Sequence, residues 1–267
     1  PMVTIYRDYD EEPDPVFLPL PEELGCSLYD LEMADFTADL PFYEEFLPAA
    51  GPVVELGCGS GRISRQVASR ERPVVGLDIS MAMLAKAVAH GHPHCSFCRM
   101  DMENLGFRRC FAAALVAYNT LNLLTRPATI AACLDGIAAL LPRGGLLLTQ
   151  IFIPSSAMRA ARATNFQFQI FPLPGGGRVI KEIRTTLDNA SGTLLLDERF
   201  RLRPVGSGAV NEDYRQQRTI AAITLAEWLQ LFVLAGFTPQ QVRGEVAGEA
   251  YDPATSTQCF LLLQKIV

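Results

Sequence analysis

The chain has 267 residues, 29 of them acidic against 23 Lys and Arg, giving a net charge of −6 and a pI near 5.2. With 49% hydrophobic and 19% charged residues it holds enough apolar material for a packed core and is not a disordered chain, and its acidic balance disfavours a nucleic-acid backbone as partner. Seven cysteines without framework spacing point to a reducing cytoplasm, and the longest apolar runs fall well short of the ~20 residues needed to cross a bilayer. Pro1 reads as a leftover ahead of a natural Met2, and no basic-then-apolar signal region follows.

Residues 1–25 are acidic and proline-rich (Asp8, Asp10, Glu11, Glu12, Pro13, Pro15, Pro19, Pro21) and read as an irregular arm, either a flexible leader or a lid. Val16, Phe17, Leu18 and Leu20 would be exposed unless this arm packs on the domain. Residues 28–47 read as helix, opened by Tyr29-Asp30, with Leu40, Tyr43, Phe46 and Leu47 at helical spacing before the Pro48–Pro52 break. From Val53 strand and helix alternate with short loops, as in a parallel sheet: strands at 53–56, 73–77, 96–100, 112–117 and 146–153, helices at 60–69, 81–89 and 128–140. After Ser155 the grammar becomes antiparallel, with alternating segments at 166–170, 178–187, 194–202 and 211–220 separated by Gly-rich turns. A helix at 225–235 and two strands near 238–244 and 257–266 close the chain, and no internal repeat is evident.

The stretch that organises the rest is Val53-Val54-Glu55-Leu56-Gly57-Cys58-Gly59-Ser60-Gly61-Arg62. A strand ends in a carboxylate, three alternating glycines allow positive φ and a close ligand, and a helix start offers free N–H groups. Asp78 ends the next strand about 20 residues on, where a carboxylate can accept from both ribose hydroxyls of a nucleoside. Asp101-Met102 after the third strand pairs a polar with an apolar side chain, suited to an adenine ring. All three lie at carboxyl ends of parallel strands, where such sheets bind ligands.

The spacing is Gly-x-Gly-x-Gly and not the dinucleotide Gly-x-Gly-x-x-Gly, and Glu55 would repel a pyrophosphate but could bind an ammonium, directly or through water. A ligand with adenosine at one end and an amino acid at the other describes S-adenosylmethionine (SAM), its carboxylate taken by Arg62 or by N–H groups of the turn. Glu55–Arg62, Gly76-Leu77-Asp78-Ile79-Ser80, Arg99-Met100-Asp101-Met102 and Leu141-Pro142-Arg143-Gly144-Gly145 together resemble the successive motifs of the class I SAM-dependent methyltransferases, over residues 50–155.

That resemblance implies a Rossmann-like, mostly parallel seven-stranded sheet sandwiched by helices, its last strand antiparallel and inserted beside its neighbour. It implies cofactor contacts at Glu55, Gly57, Cys58, Gly59, Gly61, Arg62, Asp78, Ile79, Asp101, Met102, Tyr118 and Asn119, with S-adenosylhomocysteine as product. The antiparallel insertion resembles the small β cap of small-molecule N- and O-methyltransferases. The organisation expected is an arm and lid helix at 1–50, a SAM-binding domain at 51–160 and 221–267, and a cap over the acceptor pocket at 161–220. The chain departs from the Asn-Pro-Pro-Tyr type loop of adenine and glutamine methyltransferases, reading Tyr118-Asn119-Thr120-Leu121-Asn122, and shows no His–carboxylate pair of the plant O-methyltransferase kind.

The expected activity is methyl transfer to nitrogen or oxygen of a small metabolite, chiefly by positioning. Tyr29 and Asn119 are the catalytic candidates; Tyr29, Tyr43, Asn122, Glu198, Arg199, Tyr214 and Arg218 are expected to line the acceptor pocket. A SAM-binding protein without turnover and an aminopropyl-type transferase are the alternatives. The partners expected are the small-molecule acceptor alone, with no nucleic acid or membrane, in a cytoplasmic monomer or homodimer. His90, His92, His94, Cys95 and Cys98 are dense enough to suggest metal, but they fall at the far side of the sheet and Cys95 and Cys98 would point oppositely, so no metal is expected. Cys58 reads as a packing residue and not a nucleophile, and Trp228, with Leu225, Leu229 and Phe232, as core.

Overall fold

The computed structural model describes residues 16–107, 111–160, 165–244 and 248–267. The acidic positions Asp8, Asp10, Glu11 and Glu12 of the expected arm lie outside them.

In chain order the elements are β1 (Leu18–Pro19), α1 (Glu22–Met33), α2 (Leu40–Phe46), β2 (Val53–Leu56), α3 (Arg62–Val67), β3 (Val74–Asp78), α4 (Met81–His90), β4 (Cys95–Arg99), β5 (Ala113–Val116), a 3-10 turn (Thr120–Leu123), α5 (Pro127–Leu140) and β6 (Leu146–Phe152). Then follow α6 (Ser156–Ala160), β7 (Asn165–Pro172), β8 (Gly177–Asp188), β9 (Thr193–Pro204), β10 (Glu212–Ala221), α7 (Leu225–Leu234), β11 (Phe237–Arg243) and β12 (Gln258–Lys265).

The main sheet runs β11-β12-β6-β5-β2-β3-β4. β2, β3, β4, β5 and β6 are mutually parallel, and β12 is antiparallel to both of its neighbours, the inserted last strand that the resemblance implied. Its central strands are apolar on both faces because helices cover both. Trp228, Phe232, Ile137 and Leu134 from α7 and α5 cover one face; Phe42, Tyr43, Ile63 and Val67 from α2 and α3 cover the other. Trp228 is fully buried and stacked on Phe232, as a core residue should be.

The second sheet runs β1-β10-β9-β8-β7, an antiparallel meander with a short parallel edge. One of its faces is apolar at both ends. Val179, Phe200, Leu202 and Tyr214 pack there with Leu28 of α1, and Leu194 and Ile220 pack with Phe152 and Met158. Asn122 ties the two sheets together: its amide donates to Phe152 O (2.9 Å) and Ala221 O (2.8 Å) and accepts from Phe152 N (2.9 Å).

The leading helix departs from expectation. It begins at Glu22, directly after Pro21, a residue suited to a helix start, and it ends at Met33, so residues 28–47 form two helices and not one. Ahead of it, Phe17 lies over Arg199 and Arg201 and Leu20 joins the Leu28 cluster, while Val16 and Leu18 stay exposed.

Candidate active site

The glycine turn closes the carboxyl end of β2. Gly57, Gly59 and Gly61 all have positive φ (65°, 55° and 76°), which only glycine adopts cheaply. They nevertheless serve different ends. A Cβ on Gly57 would lie 2.3 Å from Thr120 Cγ2, and one on Gly61 2.9 Å from the Phe97 ring, so both are filled by the protein itself. At Gly59 a Cβ would sit 3.9 Å from both Tyr29 Cε1 and Met83 Sδ, so this glycine opens the turn between α1 and α4.

Asp78, at the end of β3, anchors the turn. Its Oδ2 accepts from Gly59 N (2.8 Å) and its Oδ1 from Ser80 N (2.9 Å), while Ser80 caps α4 by accepting from Met83 N. Beside it Ile79 and Met81 are 60% and 56% exposed, apolar surface at the place where a nucleoside base is expected. Asp101 is exposed and its Oδ1 accepts from Glu103 N (2.9 Å), but Met102 leans into the main core. Cys58 is buried behind the turn against Gly76, and burial pushes its thiol far above the ordinary range, which suits packing and not nucleophilic attack.

Glu55 does not open onto the cleft. It is buried and accepts from Ser64 Oγ of α3; burial pushes its carboxyl up to about 7, against the pull of Ser64 and Arg62. Arg62 is committed as well: Nη1 donates to Asp39 Oδ1 (2.8 Å) and Phe36 O (3.1 Å), and Nη2 to Asp39 Oδ2 (2.7 Å). The Nη1/Nη2 edge of the guanidinium is therefore spent on the α1–α2 corner. Tyr29 stands next to this group, its phenol pushed up to about 12 by burial, with Arg62 pulling the other way. At neutral pH it can donate a hydrogen bond but cannot serve as a base.

After β5 the chain takes two consecutive left-handed residues, Tyr118 (φ 48°) and Asn119 (φ 61°). Asparagine tolerates this region and tyrosine does so rarely, so the surroundings hold Tyr118 there. Asn119 N donates to Gln150 O (3.1 Å). The side-chain oxygens of Asn119 and Gln150 are buried with no hydrogen-bond partner among the described residues. Gln150 is fully buried on β6, its amide donating to Gln258 Oε1 (3.0 Å).

Across the cleft, the α1-facing side of the second sheet carries a polar band between its two apolar ends. Lys181 of β8 donates to both Glu32 oxygens (2.9 and 2.7 Å) and pairs with Glu198 Oε1 at 3.0 Å. Glu198 Oε2 accepts from Gln216 (2.8 Å) and Arg218 (2.7 Å). Burial would raise the Glu198 carboxyl, yet Lys181 and Arg218 together hold it below its ordinary value. The Tyr118 ring lies 5.8 Å from the Arg62 guanidinium and edge to face with Phe36, and burial, with Glu32 and then Glu198, raises its phenol while Arg62 pulls the other way.

Four expected acceptor-pocket residues lie elsewhere. Tyr43 is fully buried beneath the main sheet with Phe42 and Leu47. Asn122 spends its whole amide on the inter-sheet tie. Tyr214 packs under α1 in the Leu28 cluster. Arg199 falls one strand position from Glu198, so it takes the opposite face of the sheet, over Phe17. Sequence reasoning missed Lys181, Glu32, Gln150, Asp39 and Phe36. Lys181 carried a signal, a lone charge between Val179 and Ile183 on the apolar phase of a strand.

Among the described residues no group of three or more His, Cys, Asp or Glu side chains is placed to hold a metal ion. His90 reaches Asp30 (3.7 Å), Cys95 Sγ lies 3.4 Å from Ser64 O, and Cys98 is exposed. No helix among the described residues is long and apolar enough to cross a membrane.

Residues 53–145 match the methyltransferase domain family model. A putative methyltransferase of Bacillus subtilis, YqeM, is 30% identical over 132 residues, 47% of this chain and 53% of the relative; the chain thus spans about half the length of that relative. Among solved structures, the SAM-bound amino pentose methyltransferase CalS10 from Micromonospora echinaspora superposes with a TM-score of 0.72 at 20% identity, covering 95% of this chain and 100% of the other. The sugar N-methyltransferase KedS8 from a Streptoalloteichus species gives 0.73 at 15% identity, covering 100% and 99%. Residues 53–145 are thus similar to a methyltransferase domain, and the chain as a whole shares the fold of these methyltransferase structures.

Proposed function

We propose that the protein transfers a methyl group from SAM to a nitrogen or oxygen of a small polar molecule. The observation that carries this is the pairing of Asp78 with the Gly59 N–H. A turn open at one glycine is locked by the carboxylate that a nucleoside requires, with exposed Ile79 and Met81 beside it. The residues fit the donor: Asp78 for the ribose hydroxyls, Ile79 and Asp101 for the base, and the turn with Tyr29, Tyr118 and Asn119 for the amino-acid end.

The donor supplies an electrophilic sulfonium methyl. What the chain adds is position and exclusion of water. Tyr29 and Tyr118 wall the cleft, and Tyr29, protonated at neutral pH, has a hydroxyl proton to offer a ligand. The oxygens of Asn119 and Gln150 are acceptors suited to an amine or hydroxyl that must present its lone pair. A polar acceptor is favoured by the band of Lys181, Glu198, Gln216 and Arg218, whose charged and polar groups a hydrophobic acceptor could not hydrogen-bond. The amino pentose and sugar N-methyltransferases that share the fold support an amine-bearing, hydroxyl-rich acceptor.

The test is incubation with SAM and a panel of amino sugars, small amines, phenols and carboxylic acids, reading S-adenosylhomocysteine. Product formed with amino sugars or amines supports the reading. Tight S-adenosylhomocysteine binding with no turnover on any class points instead to a binding protein.

A further inference from the structure

Three chain segments meet at the guanidinium of Arg62. It follows Gly61 at the first position of α3, grips the fully buried Asp39 with both terminal nitrogens and also holds Phe36 O. It lies 5.1 Å from the Phe36 ring centre and 5.8 Å from that of Tyr118, and the two rings meet edge to face at 5.6 Å. Its Nε is buried without a partner among the described residues, and the side chain as a whole is only 12% exposed.

We propose that Arg62 and Asp39 form a positioning pair for the amino-acid end of the donor, holding the α1–α2 corner and the strained Tyr118 around the glycine turn without touching the ligand. The inference rests on the donor-site reading above. A buried ion pair is weak as a source of stability, since apolar side chains of the same volume serve as well, and its better use is to select one geometry. The geometry selected here is specific to arginine: a planar fork on a carboxylate, flanked by two aromatic faces, which a lysine cannot reproduce. Releasing it frees Tyr118 from a backbone region that tyrosine avoids and lets α1, which carries Tyr29, move from Gly59. The nucleoside end is anchored through Asp78, Ser80 and α4, none of which bonds to Arg62 or Asp39; α1 reaches them through Glu22, which accepts from Ser80 (2.6 Å), and Asp30, which pairs with Lys86 (3.3 Å).

The experiment compares two ligands that share adenosine and sulfur. S-adenosylhomocysteine has the amino-acid end and 5′-methylthioadenosine lacks it. In Asp39→Asn and Arg62→Lys, calorimetry should show S-adenosylhomocysteine weakened at least tenfold and 5′-methylthioadenosine within about twofold of wild type. Lys265→Met, which loses the bonds to Ala138 O and Leu141 O at the opposite end of the main sheet, should leave both affinities unchanged. Equal losses for the two ligands make the pair a general fold element and overturn the proposal, as does unchanged S-adenosylhomocysteine affinity. If neither variant folds, Phe36→Leu keeps the ion pair while removing one aromatic face, and it should show the same selective loss on a smaller scale; an unselective or absent loss there overturns the proposal. A wild-type chain that binds neither ligand overturns the donor-site reading itself.

Discussion

The carboxylate of Asp78 accepts the backbone N–H of Gly59 at 2.8 Å, across a separation of 19 residues. A side chain expected to serve a ligand thus also fixes the loop that would receive it. Asp78→Ala removes both roles and leaves the Gly59 and Ser80 N–H groups without this acceptor. The expected loss of S-adenosylhomocysteine affinity is roughly 1–3 kcal/mol. Calorimetry showing an unchanged dissociation constant contradicts the assignment.

Much of this arrangement was legible in the sequence because it is local. The alternation of strand and helix, the Gly-x-Gly-x-Gly turn, Asp78 at a strand end and the period-two segments of the second sheet all report short-range geometry. Illegible were features set by distant partners. The break between α1 and α2 has no glycine at its centre; it forms where Asp39 meets Arg62, 23 residues on. The positive φ of Tyr118 follows no local rule, and the facing of Glu198 against Arg199 depends on a register that the sequence alone leaves open.

Glu55 makes the stability of the protein depend on pH. Its folded pKa of about 7 lies above the ordinary 4.5, so the folded state holds the proton more tightly than the unfolded chain. Its contribution is free of penalty below 4.5 and is lost as pH rises through about 7, a difference on the order of 3 kcal/mol. Between pH 5 and 8 the melting temperature of wild type should fall more than that of Glu55→Gln. Parallel curves for the two would place the charge of Glu55 in a better-solvated site than its burial implies.

Asn122 distinguishes a structural amide from a ligand-binding one. Asn122→Ala strands Phe152 N, Phe152 O and Ala221 O at the junction of the two sheets. About 3 kcal/mol of stability should be lost, lowering the melting temperature by roughly 5–10 °C in a chain of this size. S-adenosylhomocysteine affinity should hold at temperatures where the variant is folded. A normal melting temperature with impaired turnover would return Asn122 to the acceptor pocket.

Lys181 is the centre on which the polar band depends. It is buried between Glu32 and Glu198, and Lys181→Met leaves both carboxylates without their lysine. Removing one member of such a cluster costs about 3–5 kcal/mol when the remaining charge stays buried. The sign of the pH effect follows from Glu198, whose folded pKa is lowered in wild type. That carboxylate contributes stability above its unfolded value near 4.5, and the contribution is lost as pH falls through the lower folded value. Without Lys181 the pKa of Glu198 rises and that contribution shrinks, so the gap between wild type and variant should be widest near pH 7 and close toward pH 4. Adding Glu198→Gln to Lys181→Met should recover part of the loss at pH 7, because one of the two buried carboxylates that faced the lysine is then neutral. Urea midpoints at the two pH values measure this directly, and a gap that does not change with pH would mean the cost is the lost contact of the lysine ammonium with the Phe200 ring.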